Sequence, residues 1–486
     1  MKENTKLATT LGELKAIGYA PKQIKAEMRE NLVAKLRSHE EIFPGIIGYQ
    51  ETVLPDIERA VLSQHNILLL GLRGQAKTRI ARLLTNLLDE YIPIVKGGEL
   101  NDDPINPITK HAQALIREFG DDTPISWLHR DDRYVEKLAT PDVSVADLIG
   151  DVDPIKAATL KLPYSDERVI HYGLVPRSHR SIFVINELPD LQARIQVSLF
   201  NMLQEGDIQI RGFKLRLPLD IMFVFTANPE DYTNRGSIIT PLKDRIESQI
   251  LTHYPAELSH AKRITNQEAN LENQDNVYVP EILRDILERI AINARTSELI
   301  DEKSGVSARL SISGLENLVS SAERRMLLNS EKQTTARLSD FWGVIPSITG
   351  KVELLYEGEQ EGPYQVALTL MGEAIRDEFL KSFPNPDEFL KETDVDIFED
   401  VRNWFSSGHT VEILNDESDE IYEKELAKVP GLATLAKKVT TNKKDALVAR
   451  ELILHALAEF NIITREMIQS KFRFRDTLAD MLDDLD

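Results

Sequence analysis

The stretch from Asn66 to Glu90, NILLLGLRGQAKTRIARLLTNLLDE, constrains the fold of this chain more than any other. Its first part, residues 67–70, is a short apolar run of the kind that forms a buried strand. Its last part has apolar residues at the spacing of one helical face: Ile80, Leu83, Leu84, Leu87 and Leu88. A glycine-bearing loop separates the two parts. The order strand, loop, helix predicts the beginning of an α/β fold.

The loop GLRGQAKT follows the phosphate-binding pattern G-x-x-x-x-G-K-[ST], except that Ala76 replaces the second glycine. Small residues let backbone N–H groups turn inward, and the N-terminus of the next helix adds partial positive charge. In this pattern Lys77 reaches the β- and γ-phosphates of a nucleotide, and the Thr78 hydroxyl ligates Mg²⁺. Alanine is penalised at its position only if φ is positive there. A tight turn with an incidental lysine is the alternative.

The predicted nucleotide-binding residues of this loop are Gly71, Gly74, Gln75, Ala76, Lys77, Thr78 and Arg79.

Composition sets limits on the class of protein. A chain of 486 residues is long enough for two or three domains with their own cores. Its formal net charge of −21 opposes binding to phosphate backbones, so nucleic acid is not expected as a general partner. The sequence has no cysteine, which excludes disulfides, thiolate metal sites and cysteine nucleophiles. No apolar run approaches the ~20 residues of a membrane span, and no signal peptide is evident. We therefore expect a cytoplasmic protein.

A second informative stretch, Ser181-Ile-Phe-Val-Ile-Asn186-Glu187, predicts a central strand with polar residues at its carboxyl end. Open α/β sheets bind their ligands at that end. Glu187 is placed to orient or deprotonate an attacking water. Asn186 stands where a P-loop ATPase usually has an aspartate that supports Mg²⁺, and asparagine keeps the hydrogen-bonding shape but loses the charge. A strand that merely ends in Asn-Glu is the alternative.

Two later stretches extend this predicted site. The run IMFVFTAN, residues 221–228, predicts another buried strand that ends in the polar Asn228. PLKDR, residues 241–245, presents Arg245 on a short element. Taken singly, each residue has an alternative explanation: Asn228 as a strand cap and Arg245 as one partner of a surface ion pair.

Two segments near the predicted site carry weaker signals. The apolar turn GIIG, residues 45–48, precedes the first strand and is placed to cover a nucleotide base, so Ile47 and Gly48 are predicted contacts. Asp102 and Asp103 suggest a metal site by residue type alone. We expect instead that they are solvated in an exposed loop.

In their order along the chain, these motifs resemble the AAA+ ATPases, and within them the helix-2-insert group that contains the magnesium chelatase I subunit and the MoxR proteins. Alternating apolar residues on either side of Arg211-Gly212 predict a β-hairpin, and the resemblance identifies MLQEGDIQIRGFKLRLP as the helix-2 insert. The other matching motifs are GLRGQAKT as P-loop, IFVINE as catalytic strand, FTANP as sensor 1, PLKDR as arginine-finger motif and GVSARLS as sensor 2. Together they cover roughly residues 43 to 330.

The resemblance implies catalytic roles for four residues. Glu187 activates water and Asn228 helps to position it. Arg245 reaches the γ-phosphate of a neighbouring subunit, which explains physically why assembly is required. Arg309, in the sensor 2 motif, contacts the nucleotide of its own subunit.

The resemblance also implies cofactors and partners. ATP and Mg²⁺ are the cofactors, with Thr78 and Asn186 at the metal. The assembly is a homo-oligomer, a hexameric ring, and its partner is a protein with a von Willebrand factor A domain.

Three functions are compatible with these features. The first is an ATP-driven, chaperone-like motor of MoxR or chelatase type that remodels a partner protein. The second is a ring scaffold that binds nucleotide without hydrolysis, in which Asn186→Asp is expected to create or raise activity. The third, an AAA+ transcription regulator, ranks last because the chain is acidic and has no GAFTGA loop or evident helix-turn-helix.

The expected fold class is α/β: a parallel P-loop AAA+ sheet core with helices on both faces, a helix-2-insert hairpin, a helical lid and a mostly helical C-terminal region. The expected domains are an N-terminal helical arm (1–42), the ATPase core (43–256), the helical lid (257–340) and a C-terminal region (341–486) that is mixed and then mostly helical. Residues 351–383 are expected to combine a strand pair, turned at Glu-Gly, with a helix.

Overall fold

A computed structural model describes residues 7–163, 166–209, 216–229, 237–272, 274–386, 396–468 and 471–476. The chain forms two compact units, Met1–Tyr254 and Pro255–Asp486. The domain boundaries expected at residues 42 and 340 stay predictions.

The strands of the first unit are β1 (Ile67–Leu70), β2 (Tyr91–Val95), β3 (Ile125–His129), β4 (Tyr134–Leu138), β5 (Gly150–Val152), β6 (Ile170–Tyr172), β7 (Ser181–Asn186), β8 (Asp207–Gln209), β9 (Arg216–Pro218), β10 (Ile221–Ala227) and β11 (Ser248–Leu251). Its helices are α1 (Leu11–Ala16), α2 (Ile24–Ser38), α3 (Val53–Leu62), α4 (Lys77–Leu83), α5 (Lys110–Phe119), α6 (Val145–Leu148), α7 (Pro154–Leu160), α8 (Leu174–Arg177), α9 (Ala193–Ser198), α10 (Phe200–Gln204) and α11 (Thr240–Lys243).

Five of these strands form a parallel sheet in the order β11-β1-β10-β7-β4. Every residue of β1, β7 and β10 is buried. Central strands of a parallel sheet are covered on both faces, which is why they consist of continuous apolar runs. The strands predicted at residues 67–70 and 181–186 are confirmed, and the strand predicted over 221–228 ends one residue earlier.

The helix after the loop is shorter than its apolar pattern predicts. α4 ends at Leu83, and residues 84–87 continue as a 3-10 helix. The predicted apolar face still packs inward, with Ile80, Leu84 and Leu87 almost fully buried.

Smaller antiparallel pairs surround the sheet. β8 pairs with β9, which confirms the arms of the predicted hairpin, while its turn at Arg211-Gly212 lies outside the described residues. A second pair, β5 with β6, was not predicted, and neither was the pairing of β2 with β3.

A buried ion pair joins the N-terminal helix α2 to the sheet. Glu27 accepts hydrogen bonds from Nη1 and Nη2 of Arg133 at 2.6 and 2.7 Å. Arg133 in turn donates from Nε to the carbonyl oxygen of Arg180 at 2.8 Å. Both side chains are almost fully buried, and Ile24 and Met28 of the same helix belong to the core that contains β1. α2 is therefore part of the packed first unit.

The helices of the second unit are α12 (Leu258–Glu268), α13 (Glu281–Ala294), α14 (Arg309–Leu328), α15 (Ile345–Thr349), α16 (Tyr356–Glu361), α17 (Pro363–Phe379), α18 (Glu399–Ser406), α19 (Asp419–Ala427), α20 (Leu432–Val439) and α21 (Ala446–Glu459). Its strands are β12 (Val277–Tyr278), β13 (Thr334–Thr335), β14 (Val411–Leu414), β15 (Ile463–Ile468) and β16 (Lys471–Asp476).

The strand pair expected in residues 351–383 is wrong, because this segment forms the helices α16 and α17. Gly362, with φ of +88°, separates two helices there instead of turning a hairpin. Val366, Leu370 and Ala374 are buried at the four-residue spacing of a helical face. The mostly helical C-terminal region also contains an antiparallel sheet, β14-β16-β15, that was not predicted.

Within the described ranges, no helix is both long and apolar enough to cross a bilayer.

Candidate nucleotide-binding site

The loop between β1 and α4 lies at the carboxyl edge of the parallel sheet. Gly74 has φ of +75° and Ala76 has φ of +58°. Ala76 therefore adopts the left-handed conformation that favours glycine, and the alanine penalty foreseen from the sequence applies here. Gly71 is required for a different reason: a Cβ there would overlap the side chains of Thr252 and Gln75.

The side chain of Lys77 is folded into this loop. Only 8% of the residue is exposed, and Nζ donates hydrogen bonds to the carbonyl oxygens of Gly71 and, at 2.9 Å, Leu72. A buried ammonium needs such oxygen partners because desolvation penalises its charge. The loop thus holds a positive charge at the point where the sequence pattern predicts phosphates.

The polar residues at the ends of β7 and β10 form a hydrogen-bonded group beside the loop. Asn186 Oδ1 accepts a hydrogen bond from Thr226 Oγ1 at 3.0 Å and another from Thr78 Oγ1 at 3.5 Å. Asn186 also donates from Nδ2 to Glu136 Oε1 on β4. The structure therefore brings Thr78 and Asn186 together, as the predicted metal site requires.

Glu187 and Asn228 follow the ends of two adjacent strands. The backbone N–H of Glu187 donates to Thr226 Oγ1 at 3.2 Å, and Glu187 has φ of +54°, which is uncommon for a residue other than glycine. Asn228 is 2% exposed. The backbone N–H of Gly71 donates to the carbonyl oxygen of Ala227 at 3.1 Å, so Asn228 directly follows a residue bonded to the loop.

Several wall residues of the loop were missed by the sequence reasoning. Tyr49 donates from its hydroxyl to the carbonyl oxygens of Gln75 and His253, at 3.1 and 2.6 Å, and burial raises its pKa to about 12. Thr252 donates to Gln75 Oε1 at 2.7 Å. Because Tyr49 directly follows Gly48, the turn containing Ile47 and Gly48 ends at a residue that contacts the loop. Nothing in the local sequence marks Tyr49 or Thr252, since their contacts depend on the order of strands.

Divalent magnesium prefers hard oxygen ligands and usually takes only one or two from the protein. The Thr78 hydroxyl and the Asn186 amide oxygen satisfy that requirement at one place. The described part of the chain contains no group of three or more His, Cys, Asp or Glu side chains arranged for a metal. The two oxygens of Thr78 and Asn186 fit the number of protein ligands that Mg²⁺ usually takes when phosphate oxygens and waters supply the others.

The two predicted catalytic arginines belong to different units of the chain. The Arg245 guanidinium donates to Gln204 Oε1 at 3.2 Å and to the carbonyl oxygen of Pro241 at 2.7 Å, and it lies 4.7 Å from the ring centre of Phe200. Arg309 is the first residue of α14 in the second unit and is exposed. Their roles toward a nucleotide stay predictions.

Comparison with solved structures gives matches of low sequence identity. A candidate ATPase from Cytophaga hutchinsonii is 18% identical, with 74% of this chain and 97% of that chain covered and a TM-score of 0.29. The BchI–BchD complex of magnesium chelatase, built on a cryo-EM reconstruction, is 18% identical over 66% of this chain and 98% of that chain, with a TM-score of 0.32. NtrX from Brucella abortus in complex with ATP is 14% identical over 60% of this chain and 52% of that chain, with a TM-score of 0.34. No protein-family model matches the chain.

The chain resembles the AAA+ ATPases. The resemblance lies in the fold: a parallel five-stranded sheet, helices around it, the loop after β1 and a mostly helical second unit. The expected fold class is confirmed.

The expectation for Asp102 and Asp103 is wrong: they are 0% and 5% exposed instead of lying in a solvated loop. Asp102 accepts hydrogen bonds from the backbone N–H groups of Ile108 and Thr109, at 2.7 and 3.0 Å. Asp103 forms an ion pair with Arg180 at 3.1 Å. The two carboxylates hold the chain in place and are buried because their charges are compensated.

A cavity of about 460 Å³ lies at the amino-terminal edge of the parallel sheet, opposite the loop around Lys77. His179 and Asp220, which precede β7 and β10, are among its lining residues. The backbone N–H of Asp220 donates to His179 Nδ1 at 3.1 Å. Burial, with the nearby Arg180 charge, lowers the pKa of His179 to about 3, and burial raises the pKa of Asp220 to about 6. This cavity is separate from the loop around Lys77.

Proposed function

We propose that the chain binds ATP with Mg²⁺ at the loop between β1 and α4 and hydrolyses it. The observation that carries this proposal is the position of the Lys77 ammonium, buried in the loop beside Thr78, Asn186 and the residues after β7 and β10. A buried ammonium is chemically suited to the negative charge of a triphosphate, whose oxygens can replace its carbonyl partners.

Each residue then has a distinct task. Lys77 exchanges its carbonyl partners for phosphate oxygens. Thr78 and Asn186 would hold Mg²⁺, which would supply positive charge to neutralise the phosphates. The Glu187 carboxylate accepts a proton from water as the water oxygen bonds to the γ-phosphorus and the bond to the β-γ bridging oxygen breaks. Asn228 orients that water. ADP and inorganic phosphate are the products.

The assembly we propose is a homo-oligomeric ring, hexameric by resemblance, in which Arg245 acts on the nucleotide of a neighbouring copy. Within its own chain Arg245 contacts Gln204, Pro241 and Phe200. A guanidinium held by one hydrogen-bonded side chain and one carbonyl oxygen is available to neutralise charge on a transferred phosphoryl group. The motor would remodel or activate a partner protein, for which a von Willebrand factor A domain is proposed.

A nucleotide-binding ring without hydrolysis is the second candidate, and two observations favour it. Asn186 offers Mg²⁺ a neutral ligand, and Ala76 strains the loop at φ of +58°. Both candidates predict nucleotide binding. Only the release of phosphate therefore distinguishes them.

The test compares steady-state phosphate release by the wild type and by Glu187→Gln. Loss of a positioned general base lowers turnover by about 10²- to 10⁴-fold. Glu118→Gln, an exposed change on α5, is the control and is expected to leave turnover unchanged. If the wild type binds nucleotide but releases no phosphate, the scaffold is correct. If Glu187→Gln turns over at the wild-type rate, Glu187 is not the base.

A further inference from the structure

The amide of Asn186 has one possible orientation. A carboxylate only accepts hydrogen bonds, so the amide nitrogen, and not the oxygen, must face Glu136. The amide oxygen is thereby directed to the hydroxyls of Thr226 and Thr78, at 3.0 and 3.5 Å. Glu136 thus sets which atom of Asn186 is presented to the loop.

Glu136 is itself held in place from two further sides. Its Oε2 accepts hydrogen bonds from the Tyr134 hydroxyl at 3.0 Å and from Arg82 Nη2 at 3.1 Å. The Glu136 side chain is 26% exposed, whereas that of Arg82 is 67% exposed, so solvent screens the arginine more than it screens the carboxylate. The backbone of β4 pairs in parallel with β7, which fixes Glu136 next to Asn186.

We propose that Glu136 supplies, through the amide of Asn186, the negative charge that an aspartate would otherwise bring to the magnesium site. An amide whose N–H donates to a carboxylate is polarised, and its oxygen becomes a better cation ligand. Outer partners of this kind orient and tune metal ligands throughout protein chemistry. Glu136 is therefore a positioning residue, and its role rests on the function proposed above.

This arrangement reverses the expected effect of restoring aspartate at position 186. Asn186→Asp would place two carboxylates against each other, and two carboxylates that share a site do not both ionise readily. The single substitution is therefore expected to weaken Mg²⁺ binding. Adding Glu136→Gln supplies an amide donor to the new aspartate, so the double variant is expected to recover what each single variant loses.

The experiment measures Mg²⁺-dependent binding of a fluorescent ADP derivative to the full-length chain. The readout is the Mg²⁺ concentration that gives half of the metal-dependent gain in affinity. Glu136→Gln and Asn186→Asp are each expected to raise it by about 10- to 100-fold. The double variant is expected to return to within a fewfold of wild type, and Glu118→Gln serves as the unchanged control.

Five outcomes are informative. Glu136→Gln with wild-type Mg²⁺ dependence overturns the inference, and so does a double variant whose losses simply add. Recovery in the double variant supports it, because it shows that the two side chains act on Mg²⁺ binding as a coupled pair. If the wild type still binds nucleotide in EDTA, the proposed nucleotide site stands even where Glu136 has no effect on Mg²⁺ dependence. If the wild type binds no nucleotide, both proposals are wrong.

Discussion

Replacing Ala76 by glycine is expected to stabilise the first unit. Ala76 has φ of +58° and ψ of 16°, which places its Cβ against its own backbone. The left-handed conformation destabilises an L-residue by about 1–2 kcal/mol. Glycine removes that strain but loses about 0.5–1 kcal/mol more chain entropy on folding than alanine does. The net expected gain is about 0.5–1 kcal/mol in the free energy of unfolding.

Thermal unfolding followed by circular dichroism measures this gain. For a unit of this size, about 1 kcal/mol raises Tm by about 2–4 °C. The matched control is Ala158→Gly, an exposed position inside α7, where the same change lowers stability by about 0.5–1 kcal/mol. The two substitutions are thus expected to move Tm in opposite directions. A lower or unchanged Tm for Ala76→Gly would refute the strain assigned to the loop.

Two further predictions concern stability at the other edge of the sheet. Glu27→Gln leaves Arg133 buried without its charge partner. Urea denaturation is therefore expected to show that the free energy of unfolding falls by about 3–5 kcal/mol. If Glu27→Gln lowers it equally in the wild-type and Arg133→Met backgrounds, the pairing is contradicted. Acidification from pH 7 to 5 should favour the fold through Asp220, whose pKa is raised to about 6, and oppose it through His179, whose pKa is lowered to about 3. Relative to wild type, Asp220→Asn is therefore expected to lose about 1 kcal/mol more over that interval and His179→Gln to lose about 2 kcal/mol less. Denaturation curves of both variants at the two pH values check this, and shifts of the same sign would exclude it.

The central strands of the fold were predictable because their signal is local. A strand covered on both faces must be apolar throughout, and β1, β7 and β10 have that pattern in consecutive residues. The loop before Lys77 was predictable for a similar reason, since glycine, lysine and threonine act at fixed offsets.

The partners of the site were not predictable, because they depend on which strands are neighbours. Glu136 lies 50 residues before Asn186 in the chain, yet the two side chains are bonded through the pairing of β4 with β7. Asp102 shows the opposite failure. An aspartate in a proline-rich stretch resembles a solvated loop residue, but its bonds to the next turn of chain bury it.

The parallel arrangement of the five strands places two groups of polar residues at opposite edges of the sheet, where substitutions are expected to have different effects. Residues that end strands face the loop around Lys77, while residues that precede strands, such as His179 and Asp220, border a cavity on the far side. Changes at the far side are expected to act on folding stability alone, whereas changes to the polar side chains around Lys77 are expected to act first on the proposed nucleotide chemistry. Abundance and turnover measured together would therefore sort any new variant by the edge it affects.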